Sequence, residues 1–300
     1  MTSHPRDAAQ AARERGSTRS GKGSSRGGER LRRVEGRHNA LVKELRAGFA
    51  HAELTPAGDC AIEGVRIVEE AIRSGRRLHA VFFSESGAEQ AARLLPQIGA
   101  HVETVVLPDK LFASVVPSET PQGVAALVRL KSYTLNDVLE RAQFGPLVMV
   151  AGVQDPGNLG TILRSAEAFG AGGALLGEGT VSPFNSKVVR GAAGSLFRLT
   201  LARVKLAAAL GQMKAKGIRT LGTSSHKGVL LREANLTGPL AVMVGSEGAG
   251  VPRDLITRMD EMVTIPHAPQ VESLNAGVAA SIVLYEISKQ SALSSQNSAP

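Results

Sequence analysis

Asn158, Arg164, Glu247, Ser273 and Asn275 are the side chains of this 300-residue sequence whose types and surroundings point to chemistry, and they fall in three segments. The first runs from Gln154 to Gly170, includes Asn158, Gly160 and Arg164, and follows an apolar stretch ending at Val153. Sites in parallel α/β sheets lie just beyond the carboxyl ends of strands, which puts Asn158 and Arg164 where ligands bind. Simple helix capping by Asn158 and plain exposure of Arg164 are the competing, non-chemical accounts. The second segment, Val244 to Pro252, holds Gly245, Gly248 and Gly250 around Glu247. Glycines here let backbone amides approach a ligand closely. The third, Val263 to Asn275, opens a long helix; Ser273 would serve as its N-cap, whereas Asn275 needs a polar partner if it enters an apolar interface. Among the seven histidines, His226 and His267 lie nearest these segments and read as surface or loop positions. The single cysteine, Cys60, lies outside them, so neither thiol catalysis nor a thiolate metal site is expected, and no metal is assigned.

The elements that must position these residues follow from pattern. Helices are expected at Arg37 to Leu45, Val65 to Ser74, Ala88 to Ile98 and Asp109 to Val115, with strands at Cys60 to Gly64, Leu78 to Phe83, Val102 to Leu107 and Gly123 to Leu130. They make a small α/β domain over 34–130. Residues 131–145 read as a linker. From 146 to 289, apolar β-branched strands at Leu147 to Val153, Gly173 to Leu176, Phe197 to Leu201, Arg219 to Thr223, Leu240 to Gly245 and Glu261 to Ile265 alternate with helical stretches, which means a parallel sheet covered on both faces. The last helix, Leu274 to Lys289, is apolar or small nearly all round and demands a second surface such as another subunit. Residues 290–300 read as a flexible end.

Charge is concentrated. The chain carries a net +8 and 43% hydrophobic residues. Residues 1–33 hold nine Arg or Lys against three acids, among Gly and Ser without apolar periodicity, and are expected to be a disordered basic tail. Between Gly179 and Arg232 stand ten basic residues and no acid, which suggests a phosphate-facing surface that includes Lys187, Arg190 and Arg198. Aromatics are only 3%, so base-stacking platforms have little to be built from. No apolar run is long enough for a membrane span, and the N-terminus has no apolar signal segment, so a cytoplasmic location is expected. The glycine fingerprint of an ordinary dinucleotide-binding fold is missing after the first strand of the sheet.

Taken together, N-x-G-x-x-x-R, G-x-E-x-x-G and S-L-N over 147–288 resemble the SpoU family of RNA ribose 2'-O-methyltransferases, and 34–130, through Asn39, Lys43, Leu45 and Ile62-Glu63-Gly64, is similar to that family's N-terminal substrate-binding domain. Ala61 stands where many relatives carry leucine or an aromatic. The resemblance implies an α/β fold whose C-terminal parallel sheet is closed by a deep trefoil knot, a feature general topology rules would not supply. It implies S-adenosylmethionine held by Thr223, Gly245, Ile265 and Leu274, and a homodimer with its site at the interface. Asn158, Arg164, Glu247, Ser273 and Asn275 match the family's active-site positions. Methyl transfer to a ribose 2'-hydroxyl of structured RNA is the activity implied, with 23S ribosomal RNA ahead of transfer RNA. A noncatalytic RNA-binding or ribosome-assembly protein is the alternative, and it would not need the five polar residues together.

Overall fold

The computed structural model describes residues 31–297. Two sheets, each covered on both faces, make up the architecture. The first comprises β1 (Arg32–Arg33), β2 (Asp59–Glu63), β3 (Leu78–Ser84), β4 (Glu103–Leu107) and β5 (Val124–Arg129) in the order β1-β4-β3-β5-β2. Strands β1, β4 and β3 run parallel, while β5 is antiparallel to β3 and β2. On one face, α1 (Ala40–His51) and α4 (Asp109–Ala113) bury Val42, Leu45 and Phe112 against Phe82 and Leu127. On the other, α2 (Val65–Arg73) and α3 (Ala88–Leu94) bury Val68, Ala71 and Leu94 against Val81 and Phe83.

The second sheet is parallel throughout. It contains β6 (Leu147–Ala151), β7 (Gly173–Leu176), β8 (Thr200–Arg203), β9 (Arg219–Ser224), β10 (Val229–Leu230), β11 (Leu240–Gly245) and β12 (Glu261–Thr264), ordered β10-β12-β9-β11-β6-β7-β8. Central strands β6 and β11 are wholly buried, consistent with their unbroken apolar runs. Helices α6 (Pro156–Ala168), α7 (Ser186–Gly191) and α10 (Ala276–Asn297) cover one face, and α5 (Leu135–Leu139), α8 (Leu206–Ala215) and α9 (Arg253–Ile256) the other. Gly160 of α6 lets α7 come close: a Cβ there would stand 2.9 Å from the Cα of Gly191.

Four expectations are corrected. Residues 1–30 of the expected tail lie outside the described residues, but Arg32 and Arg33 are ordered into β1. The free edge of β4 pairs with them, buried Val34 anchors the turn inward, and Arg32 and Arg33 meet Glu103 at 3.3 Å and Glu85 at 2.5 Å. The expected linker contains α5, opened by a capping box between Thr134 and Asp137, and its Val138 and Leu139 belong to the second sheet's core. Phe197 does not start a strand; it sits in a 3₁₀ turn and fills the core of the first sheet. Finally, α10 continues to Asn297 because no Gly or Pro interrupts it after Gly277.

The two sheets are joined by more than that phenylalanine. Val189 and Leu196 share the same apolar cluster with α2 and α3. Arg198 donates to Glu167 of α6 and to Glu70 and Ser74 at the end of α2, and Arg76 donates to the Phe197 carbonyl. These bonds push the Arg198 guanidinium pKa further up, Glu167 being the main cause. They also hold the Glu167 carboxyl below its usual range. Among the described residues, no helix is long and apolar enough to cross a membrane.

Candidate functional site

A cavity of about 700 Å³ opens at the carboxyl ends of β9, β11 and β12. The three loops leaving these strands make its walls. Thr223 and Ser224 close β9, Gly245 ends β11 with Ser246 to Val251 following it, and Ile265, His267 and Glu272 to Leu274 lead from β12 to α10. The Thr223 hydroxyl donates to the Met243 carbonyl at 3.0 Å, tying β9 to β11 at the cavity wall. Gly245 is required for a reason the sequence does not reveal. A Cβ on it would collide with the backbone of Gly250 and Val251, because the loop folds back through paired hydrogen bonds between Ser246 and Gly250. Gly250 itself adopts a positive φ of 66°, which closes that turn.

Beside the cavity stands a polar chain. Asp155, not Asn158, caps α6: its Oδ1 accepts from the Asn158 backbone N–H at 2.8 Å, with Pro156 opening the helix. The Asn158 side chain is thereby free for other partners. Its Nδ2 donates to Glu247 Oε1 at 2.7 Å and its Oδ1 accepts from Asn275 Nδ2 at 2.8 Å. Asn275 Oδ1 in turn accepts from the Val278 N–H, so Asn275, not Ser273, caps α10. Asn158 is buried, whereas Glu247 and Asn275 are exposed. The arrangement holds three polar side chains rigidly at the edge of a partly apolar cavity, which suits orientation of a hydroxyl.

Thr223, Gly245, Glu247, Ile265, Ser273 and Leu274 line the cavity together, and Asn158 and Asn275 join it through Glu247. Arg164 does not. It sits on the exposed face of α6 and makes no hydrogen bond or ion pair among the described residues. Lys187 and Arg190 are exposed on α7, Arg190 donating to Ser118 at 3.1 Å, while Arg198 is committed to the join between the sheets. The basic window divides cleanly. All five of its arginines have partners: besides Arg190 and Arg198, Arg203 meets Glu53, Arg219 donates to the Asn235 and Thr237 carbonyls, and Arg232 meets Glu233. The side chains of its five lysines, at 187, 205, 214, 216 and 227, have none among the described residues.

Sequence reasoning passed over His226, Lys227, His267 and Glu272 as parts of this cavity. The signal was their place on loops that leave neighbouring strand ends. It stayed silent until the order of those strands was known.

Residues 145–285 match the SpoU rRNA Methylase family, and 39–126 match the MRM3-like substrate binding domain. The 23S rRNA (guanosine(2553)-2'-O)-methyltransferase RlmP of Bacillus subtilis (strain 168) is 32% identical over 257 residues, 86% of this chain and 99% of that protein. The chain belongs to the SpoU rRNA methylase family. Two solved structures superpose over most of its length. An AdoMet-bound rRNA methyltransferase from Sinorhizobium meliloti gives a TM-score of 0.73 at 28% identity, covering 87% of this chain and 98% of that one. The SpoU methyltransferase AviRb from Streptomyces viridochromogenes, in complex with AdoMet, gives 0.72 at 28% identity, covering 84% and 98%. Family membership thus agrees with the resemblance carried by the three segments, and with the α/β fold built on a parallel sheet.

Proposed function

We propose that this SpoU-family chain transfers a methyl group from S-adenosylmethionine to a ribose 2'-hydroxyl of structured RNA, with 23S ribosomal RNA as the substrate. The observation that carries this reading is the bonded set Glu247, Asn158 and Asn275 at the rim of a cavity lined by Gly245, Ile265 and Leu274. Its volume lies within the range of small-molecule sites, about 300–1,000 Å³. The lining mixes apolar Val244, Ile265 and Leu274 with hydroxyls of Ser224 and Ser246, which fits a nucleoside carrying an amino-acid tail. Thr223, Gly245, Ile265 and Leu274 would hold that cofactor, which when bound supplies a methyl group on a cationic sulfur.

What the chain's own residues contribute is mainly positioning, which is worth up to roughly 7–11 kcal/mol when two reactants are held in line. Asn158 and Asn275, fixed by Glu247 and by the cap of α10, orient the hydroxyl together with Ser273. Arg164 is assigned to the RNA phosphate and to the developing negative charge on the 2'-oxygen. A guanidinium stays protonated, its pKa lying above about 12, so it serves better as an electrostatic clamp than as a base. Because Arg164 faces solvent away from its own cavity, we place it in a site completed by a second copy.

A homodimer is supported by α10, which buries Ala276, Ala280, Val283, Leu284 and Ile287 against the sheet and leaves Val278, Ile282 and Tyr285 exposed on its other side. A deep trefoil knot is supported by the loops after β11 and β12, which wrap one cavity between strands that are not consecutive in the sheet. Lys187 and Arg190 are assigned to RNA. Residues 34–130 act as the RNA-substrate domain and 146–289 as the catalytic one, in the cytoplasm, where ribosomal RNA is modified. Incubating the purified protein with methyl-labelled S-adenosylmethionine and 23S or transfer RNA tests the reading. Label in a ribose of 23S RNA is expected, label only in transfer RNA redirects the substrate, and none in either overturns the assignment.

A further inference from the structure

His226 and His267 are the residues of the cavity that the proposed reaction leaves without a role. They sit on loops leaving two paired strands, β9 and β12, whose ends are in register at Thr223 with Val263 and Ser224 with Thr264. Both loops are tethered. The backbone N–H of His226 and that of Lys227 donate to Ser224 Oγ, and the Thr264 hydroxyl donates to the Ser225 carbonyl at 3.1 Å. On the opposite side, His267 Nδ1 lies 2.8 Å from the Ile265 carbonyl oxygen. A carbonyl only accepts, so Nδ1 carries a proton in either charge state of the ring, and Nε2 is the atom that gains or loses one. The two rings stand 5.7 Å apart, centroid to centroid, in the lining of the cavity.

The charged groups that line the cavity with them are Lys227 on the loop after β9, Glu247 on the loop after β11, and Glu272 on the segment before α10. With neutral imidazoles these leave the cavity one negative charge in excess. With both imidazoles protonated the excess becomes one positive charge. This reversal matters because the reaction changes its cofactor's charge: the methyl donor carries a sulfonium and a net +1, while the demethylated thioether product is neutral overall. A negative cavity prefers the donor and a positive one does not.

Resting on the cofactor reading above, we propose that His226 and His267, when protonated, weaken the preference of this cavity for the sulfonium donor over its thioether product. Their neutral forms keep the lining negative, so that product leaves and donor replaces it. Each added proton weakens the donor relative to the product by about a factor of two at a separation of about 10 Å in water. The donor-to-product affinity ratio therefore falls about fourfold, in total, once both rings carry a second proton.

Calorimetric titration of the full chain with S-adenosylmethionine and with S-adenosylhomocysteine, between pH 5.5 and 8.5, tests this. The wild-type ratio is expected to fall with acidification and to be flat in the doubly substituted His226→Gln, His267→Gln protein. Glutamine keeps an N–H for the Ile265 carbonyl. Lys227→Met should shift the ratio toward the donor at every pH without changing its slope. A ratio independent of pH in the wild type, or an equal slope in the double variant, overturns the role of the histidines while leaving the cofactor site standing. Failure of either ligand to bind at any pH overturns both.

Discussion

Asn158 and Asn275, 117 positions apart in sequence, are joined by a 2.8 Å hydrogen bond in which Asn275 Nδ2 donates to Asn158 Oδ1. Each amide is held at both ends and keeps one N–H and one lone pair to spare: Asn158 Nδ2 also goes to Glu247, and Asn275 Oδ1 to the first turn of α10. The bond therefore couples the starts of α6 and α10, two helices that run against each other and meet again at Ser165 and Ser281, 2.7 Å apart.

Asn158→Asp should disrupt this set more than Asn158→Ala, because a carboxylate oxygen would then face the Glu247 carboxylate that the amide N–H now serves. Leaving such partners unsatisfied costs about 1–3 kcal/mol. Methyl transfer is expected to drop at least about a hundredfold in both variants, with cofactor affinity within a few-fold. Activity within tenfold of wild type in Asn158→Asp would remove Asn158 from the site.

Gly245→Val should abolish cofactor binding through the loop, since the new side chain must displace the Gly250 and Val251 backbone. Lowered thermal stability should accompany the loss, as the residue ends a fully buried strand. Calorimetry that finds unchanged affinity for S-adenosylmethionine would refute the placement of Gly245.

Arg164→Ala should eliminate methylation and leave cofactor affinity nearly as it was, given that Arg164 is absent from the cavity lining of its own chain. In mixed dimers with a cofactor-binding-deficient subunit, activity should survive when the two defects lie on different copies. Collapse of cofactor affinity in the single variant would contradict this division.

Glu167 gives a pH dependence with a definite sign. Hydrogen bonding to Arg198 lowers its folded-state pKa against the opposing effect of burial. The stabilisation is then present above the ordinary glutamate range, near pH 4.3, and is lost as pH falls through the lower folded value. With solvent screening it amounts to ~1 kcal/mol. Arg198→Met should lower the melting temperature by a few degrees at pH 7, and the gap to wild type should narrow as pH falls below the ordinary glutamate range. A gap that stays constant down to pH 3.5 would show that Glu167 does not titrate with the join.

In the basic window, arginines and lysines should behave differently. Lys187→Ala with Lys214→Ala should flatten the dependence of log RNA affinity on log salt by about 0.7–0.9 for each phosphate no longer neutralised, without lowering the melting temperature. Arg203→Ala, which loses its Glu53 partner, should do the reverse. Equal salt slopes in both variants would mean these lysines do not meet phosphate.

The sequence alone determined the parallel sheet, because runs such as Leu147 to Ala151 and Leu240 to Gly245 are too apolar and too β-branched for a half-exposed strand. It also determined the family, through residue types that only a shared site requires in that combination. The roles within each segment it left open. Asp155 ahead of Pro156 is the local cap of α6, but that the Asn158 side chain is a partner of Glu247 and Asn275 is decided only by the fold. Gly245 is legible as a glycine that something approaches closely, yet that the neighbour is the chain's own Gly250 depends on how the loop turns back. Arginines and lysines of one basic stretch look alike in sequence. Their separation into paired and free groups comes from acids such as Glu53, Glu70 and Glu167, which tertiary structure delivers from far along the chain. Local pattern fixes what each segment can become, since periodicity and capping act over a few residues. Hydrogen bonds and ion pairs between distant segments exist only once the strand order is set.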